Sequence, residues 1–160
     1  MRKMLILVIF ILATWGFAEM SLTPTILAFG SPLPTTNILT LTDTTVSTTT
    51  FKYPLVISVF TTWCAVCKKE LPQLNIVLHE AQAQKIPLTI IGIDAGEKTS
   101  KVASYQKRQR LDFDLFVDSQ LALIKKLQIK GTPVILIFDA KGTLTYQGQT
   151  IPETWAQLIQ

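Results

Sequence analysis

Cys64 and Cys67 are the two cysteines of a 160-residue chain, and only Ala65 and Val66 separate them. A pair at this spacing can switch between dithiol and disulfide with little backbone movement, because positions i and i+3 are neighbours on one face of a helical turn. The pair follows an apolar β-type run, Leu55 to Phe60, so the pattern predicts that Cys64 opens a helix. A helix N-terminus favours the thiolate over the thiol. Cys64 is then the nucleophile and Cys67 its resolving partner. A structural staple is the competing reading, but a loop closed over so few residues restricts the unfolded chain little. A metal site needs three or four ligands. His79 is the single histidine and falls well beyond the cysteines, so no metal and no cofactor other than the redox-active Cys64–Cys67 disulfide is expected. Trp63 borders the pair and is expected to form part of a contact surface.

Elements that could hold such a pair are readable from Pro54 onward. Leu55–Phe60, Leu88–Ile93 and Val134–Phe138 are apolar runs of the kind that buried central strands need. A helix is predicted from Cys64 to about Gln84, with Pro72 inside it as a kink. Lys98–Arg110 reads as a polar helix, Phe113–Val117 as a short strand and Ser119–Leu127 as a helix. Asp139-Ala140-Lys141-Gly142 reads as a hairpin turn into a strand at Leu144–Gln147. Pro152 suits the first position of a closing helix that runs to Gln160. Before Pro54, Ile38–Leu41 and Thr49–Lys52 are expected to pair as an edge hairpin turning near Asp43. The whole is a mixed α/β layout.

Apolar residues make up 48% of the chain and charged residues 16%, which fits a packed core and excludes a disordered chain. The formal net charge of +4 leans on Arg2 and Lys3; without them, 13 basic residues face 11 acidic ones. Lys107, Arg108 and Arg110 cluster on an expected exposed helix face, so no nucleic-acid partner is implied. Arg2-Lys3, the apolar run Met4–Ala13 and the small residues Gly16 and Ala18 have the order of a secretory signal. Residues 1–18 are therefore read as a signal peptide or an N-terminal membrane anchor, 19–36 as a linker and 37–160 as the folded domain. The domain is expected to work in the periplasm or another extracytoplasmic space, where disulfides persist. No cysteine follows the apolar run, which argues against a lipid-modified anchor.

Taken together, Trp63-Cys64-Ala65-Val66-Cys67, the following Lys68-Lys69-Glu70-Leu71-Pro72, Gly92-Ile93-Asp94 and Gly131-Thr132-Pro133-Val134 resemble the TlpA/ResA-like extracytoplasmic thiol–disulfide oxidoreductases. The resemblance spans about residues 37–160. It implies a thioredoxin-like three-layer α/β/α fold with a central mixed β-sheet, an N-terminal β-hairpin and an inserted helix–strand between about Asp94 and Phe116. It further implies that Pro133 is a cis-proline facing the cysteines, which would expose the Thr132 backbone to a partner's extended segment. Glu70 matches the acid that CKKE-type members carry beside the dithiol, where it would handle protons. Ser58 stands where thioredoxin has a buried aspartate, so a base at that position is not expected.

The implied activity is reduction of disulfides in extracytoplasmic client proteins, apocytochrome c among the candidates, by a monomer. A membrane thiol–disulfide carrier would supply electrons. Three rivals use the same fold. A disulfide-donating oxidase would need the opposite redox poise; Ala65-Val66 contains no histidine to stabilise a strongly oxidising thiolate, and the large helical insertion of DsbA-like oxidases is missing. A peroxidase would find its threonine in Thr61 but has Ile57 where it needs proline. A non-catalytic binding module would keep the fold for protein contact or copper handling.

Overall fold

The computed structural model describes residues 27–160, so the signal segment and the linker up to residue 26 lie outside the described residues. These residues build one seven-stranded sheet in the order β2-β1-β5-β4-β3-β6-β7. Its strands are β1 (Asn37–Thr40), β2 (Thr45–Ser47), β3 (Leu55–Phe60), β4 (Thr89–Asp94), β5 (Asp114–Val117), β6 (Val134–Phe138) and β7 (Leu144–Gly148). The helices are α1 (Cys67–Ala83), α2 (Thr99–Gln109), α3 (Ala122–Lys126) and α4 (Trp155–Leu158).

Two of the apolar runs sit where sequence and burial agree. Every residue of β3 and of β6 is buried. β3 is central, parallel to β4 and antiparallel to β6, with Val59 opposite Val134 and Phe60 opposite Asp94. Alternate side chains of these strands feed two cores. On one face Val56, Phe60, Ile135 and Ile137 pack with Leu71, Leu74 and Val77 of α1, Val102 and Tyr105 of α2, and Trp155 of α4. On the other, Leu55, Ile57, Ile93, Leu136 and Phe138 pack with Leu123 and Ile124 of α3. Each fully buried Leu, Ile or Phe contributes about 1.5–3 kcal/mol relative to exposure. Gly92 in β4 allows a close approach, since a Cβ there would lie 2.5 Å from Leu115 Cδ2. The result is the expected thioredoxin-like mixed sheet between helical layers, with the β1–β2 hairpin at one edge and α2–β5 inserted between β4 and α3.

Several boundaries differ from expectation, each for a local reason. The dithiol helix starts at Cys67, three residues after Cys64, because residues 61–66 form a turn in which Cys64 N–H donates to the Thr61 carbonyl (3.2 Å). The edge hairpin uses Thr45–Ser47, not Thr49–Lys52. Thr48 is instead drawn into a short 3-10 turn, its hydroxyl donating to Pro34 O (2.9 Å) and accepting from Thr36 N–H (3.0 Å). α3 is delayed to Ala122 because Asp118 caps it, accepting from the Ala122 and Ile124 N–H groups, both at 2.9 Å. The closing helix is one turn long and begins at Trp155, since Pro152 only supplies the carbonyl of the turn before it (Trp155 N–H, 3.1 Å). Pro72 lies inside α1 without ending it. Pro32, read as linker, bridges Thr143, and Gly30 and Ser31 exchange backbone bonds with Leu144.

Candidate active site

Three strand ends meet at one edge of the sheet. β3 runs out through Thr61 and Thr62 to Cys64, β4 ends at Asp94, and β6 begins just after Pro133. Ligand sites of open α/β sheets fall at such carboxyl ends.

Cys64 and Cys67 are joined as a disulfide, with an S–S distance of 2.18 Å and Cα atoms 5.2 Å apart. They differ in access. Cys64 is 7% exposed, whereas Cys67 is fully buried against Leu71 and Phe60 in the first core. Cys67 is the first residue of α1, and its N–H donates to Cys64 Sγ at 3.1 Å. The same helix end that has free N–H groups therefore points one at the accessible sulfur, an arrangement that stabilises negative charge there. Cys64 Sγ also lies 3.7 Å from the Thr132 carbonyl oxygen. The Thr132–Pro133 bond is cis, and Pro133 is buried while Thr132 is half-buried.

Around the sulfurs the surface is apolar and then polar. Trp63 is 70% exposed and Val66 54%, an exposed apolar shoulder on the dithiol loop. On the far side of Thr132 opens a cleft of about 350 Å³ lined by Gln128, Lys130, Pro133, Gln147 and Gln149. Glu70, one turn into α1, is 7% exposed. Its Oε1 accepts the Ile151 N–H at 2.6 Å, so it ties α1 to the segment before α4 and borders a second cleft with Gln73, Ile76 and Trp155. Ser58 is fully buried, and its hydroxyl has no partner among the described residues.

The expected residues therefore gather in two groups. Trp63, Cys64, Thr132 and Pro133 stand together around the dithiol, with Cys67 buried beneath Cys64, and Glu70 stands behind them bonded to the Ile151 N–H. His79 belongs to neither: its Nε2 meets Asp112 Oδ2 at 3.0 Å on the outside of α1. Lys107, Arg108 and Arg110 are exposed at the end of α2. Among the described residues no group of three His, Cys, Asp or Glu side chains could hold a metal ion, and no helix is long and apolar enough to cross a membrane.

Sequence reasoning missed a third group, behind Thr62. Asp94 is fully buried at the end of β4, and its Oδ1 accepts the Glu97 N–H at 2.7 Å. Glu97 in turn accepts the Thr62 N–H (2.5 Å) and hydroxyl (2.9 Å) and pairs with Lys101. Burial, reinforced by the facing Glu97 carboxyl, raises the Asp94 pKa to about 7. Burial also pushes Glu97 upward, but the Lys101 ammonium, the Thr62 N–H and the Asp94 carboxyl outweigh it and bring Glu97 down to about 2. The available signal was an acid closing a buried strand run with a second acid three residues on.

Fold and dithiol geometry define a thioredoxin-like protein with a CxxC pair at the start of a helix. The chain belongs to the AhpC/TSA family, whose profile matches residues 29–147. It is 28% identical over 86 residues to the sporulation thiol-disulfide oxidoreductase A of Bacillus subtilis, covering 53% of this chain and 52% of that one. It is 26% identical over 137 residues to the thiol:disulfide interchange protein DsbE of Haemophilus influenzae, covering 82% and 72%. The chain thus spans about half the length of the first of these relatives. Among solved structures, the thioredoxin domain of a thiol-disulfide oxidoreductase from Bacteroides vulgatus aligns with a TM-score of 0.69 at 20% identity, covering 82% of this chain and 96% of that one. That likeness concerns the fold.

Proposed function

We propose that the protein is a thiol–disulfide oxidoreductase that reduces disulfides in extracytoplasmic client proteins. The observation that carries this reading is the asymmetry of the pair: an accessible Cys64 sulfur that receives an N–H at a helix start, and a Cys67 sulfur sealed in the core. In the reduced protein the Cys64 thiolate attacks one sulfur of a client disulfide. A mixed disulfide forms and the client's other sulfur leaves as a thiolate, taking up a proton. Cys67, as thiolate, then attacks Cys64 Sγ, the second client sulfur leaves, and the Cys64–Cys67 disulfide closes. Two electrons have passed from the dithiol to the client.

Thr132 offers its backbone beside the sulfur for an extended client segment, and Trp63 offers apolar contact. Glu70 takes or gives the proton at Cys67. Return to the dithiol needs an external dithiol donor, for which a membrane thiol–disulfide carrier is the proposed source. The names of the relatives, a disulfide oxidoreductase and an interchange protein, support the reaction class. The signal-like residues 1–18 support the compartment, with the domain released or held at the membrane by that segment. A client of the apocytochrome c kind has its own CxxC pair, which suits a short dithiol exchange.

The test is a pair of variants incubated with a disulfide-bonded client peptide. Cys67→Ser is expected to accumulate a mixed disulfide on Cys64, seen by mass spectrometry and dissolved by dithiothreitol. Cys64→Ser is expected to form none and to lose turnover. An adduct on Cys67 in place of Cys64, or full turnover in either variant, would overturn the assignment.

A further inference from the structure

The carboxyl group of Asp94 is unexplained by the exchange chemistry. It is fully buried, its Oδ1 accepts the Glu97 N–H at 2.7 Å, and its Oδ2 has no hydrogen-bond partner among the described residues. A buried, unpartnered carboxylate oxygen is costly. Two carboxyls side by side hold together when they share a proton, because like charges at such range cannot both ionise. Glu97 is the partner suited to stay charged, since Lys101 and two donors from Thr62 all point at it.

The remaining neighbours give no competing proton site. Asp118, after β5, donates its backbone N–H to the Asp94 carbonyl (3.0 Å), but its own carboxyl oxygens are engaged by Ala122 and Ile124. Asp43, in the β1–β2 turn, accepts the Thr99 hydroxyl at 2.8 Å. Lys98 precedes α2 and makes no side-chain cap hydrogen bond. The β3 side contributes Thr61 and Thr62, which do not titrate, and then Cys64.

Thr62 is two residues from Cys64, and the Thr61 carbonyl receives the Cys64 N–H. We propose that Asp94 and Glu97 form a proton-sharing pair that positions the Thr61–Cys64 turn, and that loss of the shared proton releases Thr62 and changes the reactivity of Cys64. With the proton present, Asp94 is neutral and Glu97 holds both donors of Thr62. When the proton leaves, two adjacent negative charges repel, and Glu97, the less buried member, swings toward Lys101 and solvent. The burial that raises the Asp94 pKa to about 7 puts this change near neutral pH. Asp94 and Glu97 are positioning residues in this scheme. Their effect on exchange rests on the proposed role of Cys64; their effect on the turn does not.

The test separates the two. In a Cys64→Ser, Cys67→Ser variant no thiol titrates, and the Thr62 amide resonance is followed by NMR from pH 5 to 9. A one-proton titration of that amide near neutral pH is expected, and its loss is expected when Asp94→Asn or Glu97→Gln is added. The side-chain carboxyl carbon of Asp94 in the unsubstituted protein gives the same answer without any substitution. It is expected to titrate near neutral, well above the ordinary value of 3.8. A Thr62 amide that is flat across the range, a titration that survives Asp94→Asn, or an Asp94 carboxyl that titrates near 3.8 would each overturn the pair. In the dithiol-bearing protein, the rate of Cys64 alkylation against pH then reads the consequence. Two ionisations are expected for the unsubstituted protein and one for Asp94→Asn. A single thiol ionisation in both, with the amide titration intact, would sink the link to Cys64 and leave the turn itself pH-dependent.

Discussion

Glu70 combines an observed backbone contact with a proposed proton-transfer role, and a single substitution would confuse them. One oxygen holds the Ile151 N–H at 2.6 Å, and the proposal gives the carboxyl a proton-transfer role at Cys67. Glu70→Ala removes both and leaves a donor without its partner, a loss of about 1–3 kcal/mol. Glu70→Gln keeps an oxygen for Ile151 but cannot exchange a proton. The expected outcome is near-native urea stability for Glu70→Gln, with disulfide exchange still slowed by about a hundredfold or more, the range of general acid–base contributions. Recovery of both properties in Glu70→Gln would mean that the residue is structural. At this scale the sequence was a good guide to the sulfurs, because CxxC after a buried strand has few other uses. It was a poor guide to Asp94 and Glu97. Their importance comes from burial and from a contact across 35 positions, between Thr62 and Glu97, which no local pattern encodes.

Strands were the most legible elements. Leu55–Phe60 and Val134–Phe138 are short continuous apolar runs, and the sheet buries both completely. Helix starts were less legible, because side chains far from the usual capping position decide them. Val66 and Leu121 make no side-chain cap, and it is Asp118 that reaches forward to α3. Thr49–Lys52 failed as a strand because hydroxyls compete for backbone groups, as the neighbouring Thr48 does with Pro34 and Thr36.

The β4–α2 junction adds a pH dependence of its own. Asp94 has a folded pKa of about 7 against an ordinary 3.8, so its contribution is fully present below about 3.8 and is lost as pH rises through 7. Glu97 has a folded pKa of about 2 against an ordinary 4.5, so its contribution is present above about 4.5 and is lost as pH falls through 2. Urea midpoints measured from pH 3 to 9 are expected to fall as pH rises from about 3.8 to about 7 and to level off above that. Asp94→Asn is expected to remove that fall. An equal slope in the variant would show that another group titrates.

Across the whole molecule, the sheet brings three distant pieces of chain to one edge: the dithiol turn, the Thr132–Pro133 loop and the Asp94–Glu97 pair. Val59 opposite Val134 and Phe60 opposite Asp94 fix that meeting by register. A slip of one residue would turn each side chain to the other face and scatter the site. The fold positions a dithiol for exchange. The proposed direction of electron flow rests on the dithiol turn, where Ala65 and Val66 supply no positive charge and one Cys67 N–H is aimed at Cys64 Sγ. A thiolate stabilised only this far leaves the dithiol form a good donor. The most direct measurement is the reduction potential of the Cys64–Cys67 couple, obtained by equilibrating residues 27–160 in defined thiol buffers and counting free thiols by alkylation and mass spectrometry. A value near that of thioredoxin, about −270 mV, is the predicted result, and a value near about −120 mV would mark a disulfide donor and contradict the reductase assignment.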